Sequence, residues 1–280
     1  MNDTQKAGVI RFYDTHPINE DEILAKLAAR GDDLEHLTQA QLADFDQDHY
    51  GGAGMVDLLA QKAGITPEHH VLDVCSGMGG PARWLASRLG CRVTGLDFTA
   101  SRVEAARRLT LRVGLAELVD FVQGDATAMP LPDAQFDAVI SQEAWLHILE
   151  KAAVIAQCAR VVKPGGVIAF TDVVARGKLS SEAQQRLGAE MHAPAIASTA
   201  LYTQLLERNA CLLKQCDDLS EEWTRILQDR HRMYRSLRDT TIAKFGEARY
   251  LEYDNAYSHF VGLFAQGVLG GVRMVARRGA

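Results

Sequence analysis

The sequence lacks any apolar run of the roughly 18 residues that a membrane-spanning helix needs, and its polar start, MNDTQKAGVIRF, does not read as a secretory signal. Both absences predict a cytoplasmic protein with no membrane partner. Dense runs of Lys and Arg are missing too. With 30 basic against 36 acidic residues and a net charge of −6, the chain has no patch to neutralise a phosphate backbone, so nucleic acid is not an expected partner. The five cysteines, Cys75, Cys91, Cys158, Cys211 and Cys216, are odd in number and lack C-x-x-C spacing, which reads as small buried hydrophobes rather than disulfides or a zinc site. His49 and His147 have acids nearby but no metal-ligand spacing, so no metal is expected. Proline is scarce, at 7 residues, and without a Pro-rich linker, repeat or low-complexity segment the chain reads as one core with helical covers.

What is present is a globular composition, 47% hydrophobic and 24% charged over 280 residues, enough for one α/β domain with helical additions. Residues 20–60 read as helices. Glu20 to Arg30 closes at Gly31, and Thr38 with Gln41 forms a capping-box pattern ahead of Leu42. From Val71 strands alternate with helices: Val71–Cys75, helix Pro81–Leu89, Arg92–Leu96, helix Ala100–Val113, Val119–Val122, Phe136–Ile140, a helix near Lys151–Val161, and Val167–Val173. That alternation predicts parallel βαβ units. Beyond it, residues 180–210 read as helical, Cys211–Cys216 as a short strand, Ser220–Phe264 as helical, and Val272–Ala276 as a final strand.

The most informative stretch is VLDVCSGMGGPARWLA, in which a strand runs into Gly77-Met78-Gly79-Gly80 and a helix opened by Pro81. Glycines there permit positive φ and close approach of backbone to a ligand, and the proline is pre-shaped for a first helical turn. Gly77-x-Gly79-x-x-Ala82 also fits a dinucleotide fingerprint, so charge must separate the candidates. Asp73 lies in the first strand, Asp97 ends the second and Asp125 follows the third. Those acids would repel a pyrophosphate, whereas S-adenosylmethionine carries a sulfonium, an ammonium and a ribose diol without phosphate. Asp97 is placed to accept both ribose hydroxyls, as an acid about 20 residues after the glycines does in nucleotide folds. Asp125 is a candidate acceptor for the adenine amino group and Asp73 for the ammonium end. The alternative is a buried, backbone-bonded Asp73 with two ordinary loop acids.

In order, VLDVCSGMGG, VTGLDFTASRVEAA, GDATAMPLPDAQFDAVIS and VVKPGGVIAFTDV resemble the four motifs of class I S-adenosylmethionine-dependent methyltransferases, over about Val71 to Val173. DQDHYGG, GGPARWLA and QEAWLHI most resemble the sarcosine/dimethylglycine and phosphoethanolamine N-methyltransferase groups. Ser76 departs from the usual three-glycine pattern. The resemblance implies a Rossmann-like, seven-stranded, mostly parallel sheet with helices on both faces, and a last antiparallel strand, Val272–Ala276, inserted in it. It implies an N-terminal helical lid over residues 1–54 and a methyltransferase domain over 55–280, with helical caps at about 178–210 and 219–266, before and after the sixth strand. Gly77 and Gly79 would approach the amino-acid moiety, Asp97 and Phe98 hold the ribose, Asp125 and Ala126 frame the adenine, and Gln142 lie beside the cofactor. His49, Tyr50, Gly51 and Gly52 are lid candidates, and Ser76 and Arg102 are counted with the cofactor set.

Methyl transfer from a sulfonium is an in-line displacement, so the protein must align the nucleophile, exclude water and take a proton where there is one. His147 is the candidate general base, or alternatively a hydrogen-bonded histidine at a helix start. Glu143 and Tyr50 join it in the catalytic set. Trp145 and Tyr50 are candidates for facing a cationic amine or the sulfonium, or alternatively for packing. Glu143 and Asp172 are candidates for pairing with a substrate amine and Arg176 with a carboxylate. Met191, His192, Tyr202, Trp223, His231, Tyr234, Tyr253 and Tyr257 are candidates for a substrate roof. The expected reaction is methylation of a small soluble molecule at an amine nitrogen, such as a glycine derivative, with carbon or sulfur as the alternative acceptor and a homodimer as the allowed assembly. From other classes, an NAD-dependent oxidoreductase and a non-catalytic S-adenosylmethionine-binding protein remain to be separated.

Overall fold

In the computed structural model, which describes Gly8, Ile10, Tyr13 and residues 18–280, the elements run α1 (Glu20–Arg30), α2 (Gln39–Ala43), α3 (Gly52–Ala63), β1 (His70–Val74), α4 (Gly80–Leu89), β2 (Arg92–Asp97), α5 (Ala100–Arg112), β3 (Val119–Gln123) and β4 (Phe136–Gln142). There follow α6 (Lys151–Val161), β5 (Val162–Ala175), α7 (Ser181–Glu190), α8 (Thr199–Arg208), β6 (Cys211–Asp218), α9 (Ser220–Ser236), α10 (Arg238–Phe245), α11 (Glu247–Ala265) and β7 (Leu269–Arg278). Among the described residues no helix is long and apolar enough to cross a membrane.

Side chains alternate faces along a strand, and this sheet is apolar on both. Val71, Val93, Ala138 and Ala169 pack with Val56, Leu59, Leu85 and Val103 of α3, α4 and α5. Leu72, Val139, Ile168 and Phe170 pack with Val154, Ile155 and Tyr202 of α6 and α8 on the other side. The strand order is β3-β2-β1-β4-β5-β7-β6. Strands β1 to β5 pair in parallel, while β7 runs antiparallel between β5 and β6. The chain leaves β1 toward β2 and returns on its other side at β4, so the crevice where open α/β sheets bind ligands falls at the carboxyl ends of these two strands.

A third cluster, with Leu187 of α7, Trp223 and Leu227 of α9 and Phe260 of α11, forms the roof. Helix α8 is not part of it. Its Tyr202, Leu205 and Leu206 are core of the sheet, so the expected cap at 178–210 divides into a roof half and a sheet-covering half. Helix α3 runs unbroken across residue 54, where the expected lid would end. Local signals held at α1, which is capped by Asn19 and closed by Gly31, and at α2, whose Thr38–Gln41 box makes both reciprocal bonds.

The N-terminal segment is bound to α4 through Arg83, whose side chain and that of Asp46 are fully buried. Its guanidinium donates to Asp46 Oδ2 at 2.8 Å, Gln39 Oε1 at 3.0 Å and the Met78 carbonyl at 2.6 Å. Ile23, Leu27 and Leu42 close the same contact against Met78, Ala105 and Leu109. The five cysteines are unpaired, and Cys216 is exposed rather than buried as expected, because it lies on β6 at the edge of the sheet.

Candidate active site

A cavity of about 1600 Å³ opens where β1, β2 and β4 end, with the roof helices as its far wall. Gly77, at φ +54°, faces it with no atom within 4 Å of where a Cβ would stand. The turn is held by Asp97, which accepts from the Gly77 N–H at 2.8 Å and the Thr99 N–H at 2.9 Å. Burial pushes the Asp97 carboxyl up, and those backbone bonds pull it back toward the charged form. Asp73 is buried beside it and is pushed up to about 7, first by burial and then by the charge of Asp97.

Three buried polar atoms around this turn, Asp73 Oδ2, Ser76 Oγ and Gln142 Oε1, have no hydrogen-bond partner among the described residues. Buried polar groups are almost always satisfied, so orphans gathered at a cavity mark where a ligand's polar groups belong. Two neighbouring acids with raised pKa ask for positive charge there. Phe98, Arg102 and Ala126 line the same end. Arg102 donates to the Tyr13 and Ile18 carbonyls at 2.8 and 2.9 Å, which anchors the N-terminal segment over the cavity. Asp125 accepts from the Thr127 amide and hydroxyl at 2.9 and 2.6 Å.

At the end of β4 the backbone turns through Glu143 at φ +47°, a conformation that a non-glycine residue keeps only when its surroundings fix it. They do so here. Its carboxylate accepts from the Tyr50 N–H at 2.5 Å and the Thr171 hydroxyl at 2.6 Å. Burial pushes it up to about 7 against those two bonds. The Tyr50 ring meets Trp223 edge-on at 4.9 Å and lies 5.0 Å from the Arg230 guanidinium, which also donates to the His49 carbonyl at 2.8 Å. Burial lowers His49 to about 4, so its ring is neutral, within 2.8 Å of Gln47 Oε1 and 3.2 Å of Gln142 Nε2. His147 closes a short 3-10 turn, Trp145–His147. Its Nδ1 lies 2.9 Å from the His192 carbonyl, which can only accept, so Nδ1 carries a proton.

The lid candidate Gly52 and the roof candidates Tyr202, Trp223 and His231 do not line the cavity, and five further expected site residues lie off it. Trp145 is core, with its ring 4.3 Å from that of Phe170, because the short turn folds it back under the sheet. Asp172 is buried on the α6 and α8 side, where strand alternation puts it with Phe170 and Val174, and accepts from the Tyr202 hydroxyl at 2.5 Å and the Leu146 N–H at 3.2 Å. Arg176 pairs with Asp218 at the surface, 2.8 Å away. Gly79 needs its bare backbone for packing, since a Cβ would collide with the Phe121 ring. Gly51, likewise, would collide with Met55. The other candidates, Tyr50, Asp73, Ser76, Gly77, Asp97, Phe98, Arg102, Asp125, Ala126, Gln142, Glu143, His147 and His192, share the cavity lining.

Sequence reasoning missed Arg230, Asp48 and Thr99, which also line it. Arg230 lies on α9, and the apolar side chains along and just past that helix divide. Trp223 and Leu227 are core, while Met233 and Leu237 are exposed and line the cavity. Among the described residues no group of three or more His, Cys, Asp or Glu side chains is placed to hold a metal.

A family model described as "Methyltransferase domain" matches residues 72–170, the span that holds the glycine turn and all three strand-end acids. These residues are similar to a methyltransferase domain. Around the domain, the chain is 32% identical to a glycine/sarcosine/dimethylglycine N-methyltransferase of Actinopolyspora halophila over 59% of its own length and 29% of that protein. It is 43% identical to a sterol 24-C-methyltransferase of Eremothecium gossypii over 41% of its length and 31% of that enzyme. The chain thus spans less than a third of each of these two curated relatives. In fold it is similar to a phosphoethanolamine N-methyltransferase of Haemonchus contortus, solved with phosphomonomethylethanolamine and S-adenosylhomocysteine. The TM-score is 0.76 at 19% identity, covering 96% of this chain and 59% of that one.

Proposed function

We propose that the chain transfers a methyl group from S-adenosylmethionine to a small-molecule acceptor. The observation that carries this reading is the pairing of an open glycine turn with two buried, elevated carboxylates, Asp73 and Asp97. A pyrophosphate would be repelled at this turn, which argues against the NAD reading, whereas a positive nucleoside relieves the mutual repulsion of the two acids. Asp97 accepts from the ribose hydroxyls, Asp73 and Ser76 meet the ammonium end, and Phe98, Asp125 and Ala126 frame the adenine. When bound, the donor supplies an electrophilic methyl group.

Tyr50, through the bond from its N–H to Glu143, docks the N-terminal segment on the end of β4 and keeps water from the reacting atoms. Glu143 is the general base for a protonated acceptor, since a carboxyl held near 7 changes state at working pH. Transfer to an amine nitrogen is the first reading, supported by Glu143 and the Tyr50 ring at one end of the cavity. Likeness to a sterol 24-C-methyltransferase over the core supports carbon as the second. Incubation with labelled donor and a panel of amines, thioethers and alkenes separates them, and transfer to no amine removes the nitrogen reading.

Two variants test the base. In the wild type, kcat/KM is expected to rise with pH through about 7 as Glu143 loses its proton. In Glu143→Gln that limb should vanish, with turnover lower by roughly 10²–10⁴-fold; an unchanged pH profile in the variant would exclude Glu143. His147→Ala is expected to lower turnover by at least roughly 10-fold while donor affinity, read by calorimetry, stays at the wild-type value. Loss of donor affinity in that variant would move His147 into the cofactor set.

A further inference from the structure

The cavity is larger than one donor requires. At about 1600 Å³ it exceeds the roughly 300–1,000 Å³ of ordinary small-molecule pockets, and its two ends differ in chemistry. The acids, Gln142 and the histidines gather at the strand ends. Away from the strand ends the wall carries Met233, Leu237, Phe245, Ala256, Tyr257 and Phe260, from α9 to α11, with Arg230, Arg249, Glu252 and Asn255 interspersed among them.

This apolar wall continues out to the surface. Met233 is 58%, Leu237 49%, Phe245 42% and Tyr253 37% exposed, and all four line the cavity, so large apolar side chains stand at its mouth beside the exposed Arg249, Glu252 and Asn255. Contiguous exposed apolar surface of this kind marks a place where apolar ligands are taken up. Helix α10 forms part of the rim, rests on α11 and buries none of its residues. Its Lys244 pairs with Glu22 of α1 through partly exposed side chains, a contact that solvent screens. The rim can therefore part without breaking core packing.

Resting on the methyl-donor reading above, we infer that the acceptor is an elongated, predominantly apolar molecule, which enters at the rim formed by Met233, Leu237, Phe245 and Tyr253 and presents one reactive end to Glu143 and His147. A glycine-derived amino acid, small and charged at both ends, would leave this wall unused. The inference concerns the acceptor's skeleton and holds for a nitrogen or a carbon acceptor alike.

Calorimetry on the full chain loaded with S-adenosylhomocysteine tests it, with 1-hexanol through 1-dodecanol and dimethylglycine as probes. Affinity is expected to rise about three- to fourfold per added methylene, the gain for full burial of each group, with one alkanol bound per chain. Ala256→Trp, which fills the chamber, should abolish the rise, and Leu237→Gln with Phe245→Gln should reduce it. Both variants should bind S-adenosylhomocysteine as the wild type does, which reports that the fold is intact. Affinity independent of chain length, a rise that survives Ala256→Trp, or dimethylglycine binding more tightly than any alkanol would each overturn the inference. Failure of the wild type to bind S-adenosylhomocysteine would instead overturn the donor reading on which it rests, whatever the alkanols do.

Discussion

Asp46→Ala is expected to lower the free energy of unfolding by about 3–5 kcal/mol, because it leaves the Arg83 guanidinium charged and buried without its carboxylate. Both side chains are inaccessible to solvent, so water cannot take the missing partner's place. The Gln39 and Met78 bonds of Arg83 remain, but neither supplies negative charge. Urea unfolding followed by far-UV circular dichroism gives the number, and a loss of under about 1 kcal/mol would show that the site rearranges to let water in. Replacing both partners, Asp46→Leu with Arg83→Met, should recover part of the loss, since apolar side chains of similar size can substitute for a buried pair. The effect should extend to ligand binding, because Arg83 also holds the Met78 carbonyl within the glycine turn.

Asp97→Ala is expected to weaken S-adenosylhomocysteine binding by roughly 1–3 kcal/mol, about 5- to 150-fold, through loss of the hydrogen bonds proposed for it with the ribose. The same change strips the Gly77 and Thr99 amides of their acceptor, so the turn loosens and the loss should fall toward the upper end. Asp97→Asn retains one acceptor oxygen and should lie between. Calorimetric titration reads all three proteins, and equal affinity in Asp97→Ala and the wild type would refute the ribose assignment.

Asp97 was legible because a strand end followed by an acid is a one-dimensional pattern, and the parallel register of β1 and β2 then brings it to the glycine turn. Caps were legible for the same reason, since Gly31, Thr38 and Gln41 act within four residues of themselves, although the Asn19 cap of α1 was not read. Trp145 and Asp172 were misplaced because side-chain direction just past a strand depends on a short turn, and along β5 on parity. Neither is visible without knowing which face each neighbour covers. Arg83 sits in a helix of ordinary amphipathic pattern, and its partner lies 37 residues earlier. Arg230 reaches a carbonyl 181 residues away. No local signal predicts either contact, although a buried arginine in a helix beside a glycine turn is a reason to look for a distant acid. The place of Val272–Ala276 came through family resemblance, as strand periodicity alone does not reveal which neighbours a strand will choose.

That place has a consequence for how the molecule is made. Leu269–Arg278 is the last strand in the sequence, yet it is an interior one, with β5 on one side and β6 on the other. During synthesis β6 therefore has no partner until Leu269–Arg278 has emerged, and until then its unpaired backbone edge stays open to wrong partners. The roof helix α9 waits as well, since Trp223 packs flat against Gly271. Maturation is thus a closing event: the half that holds the glycine turn can assemble early, while the chamber beyond it is completed only when β7 inserts between β5 and β6.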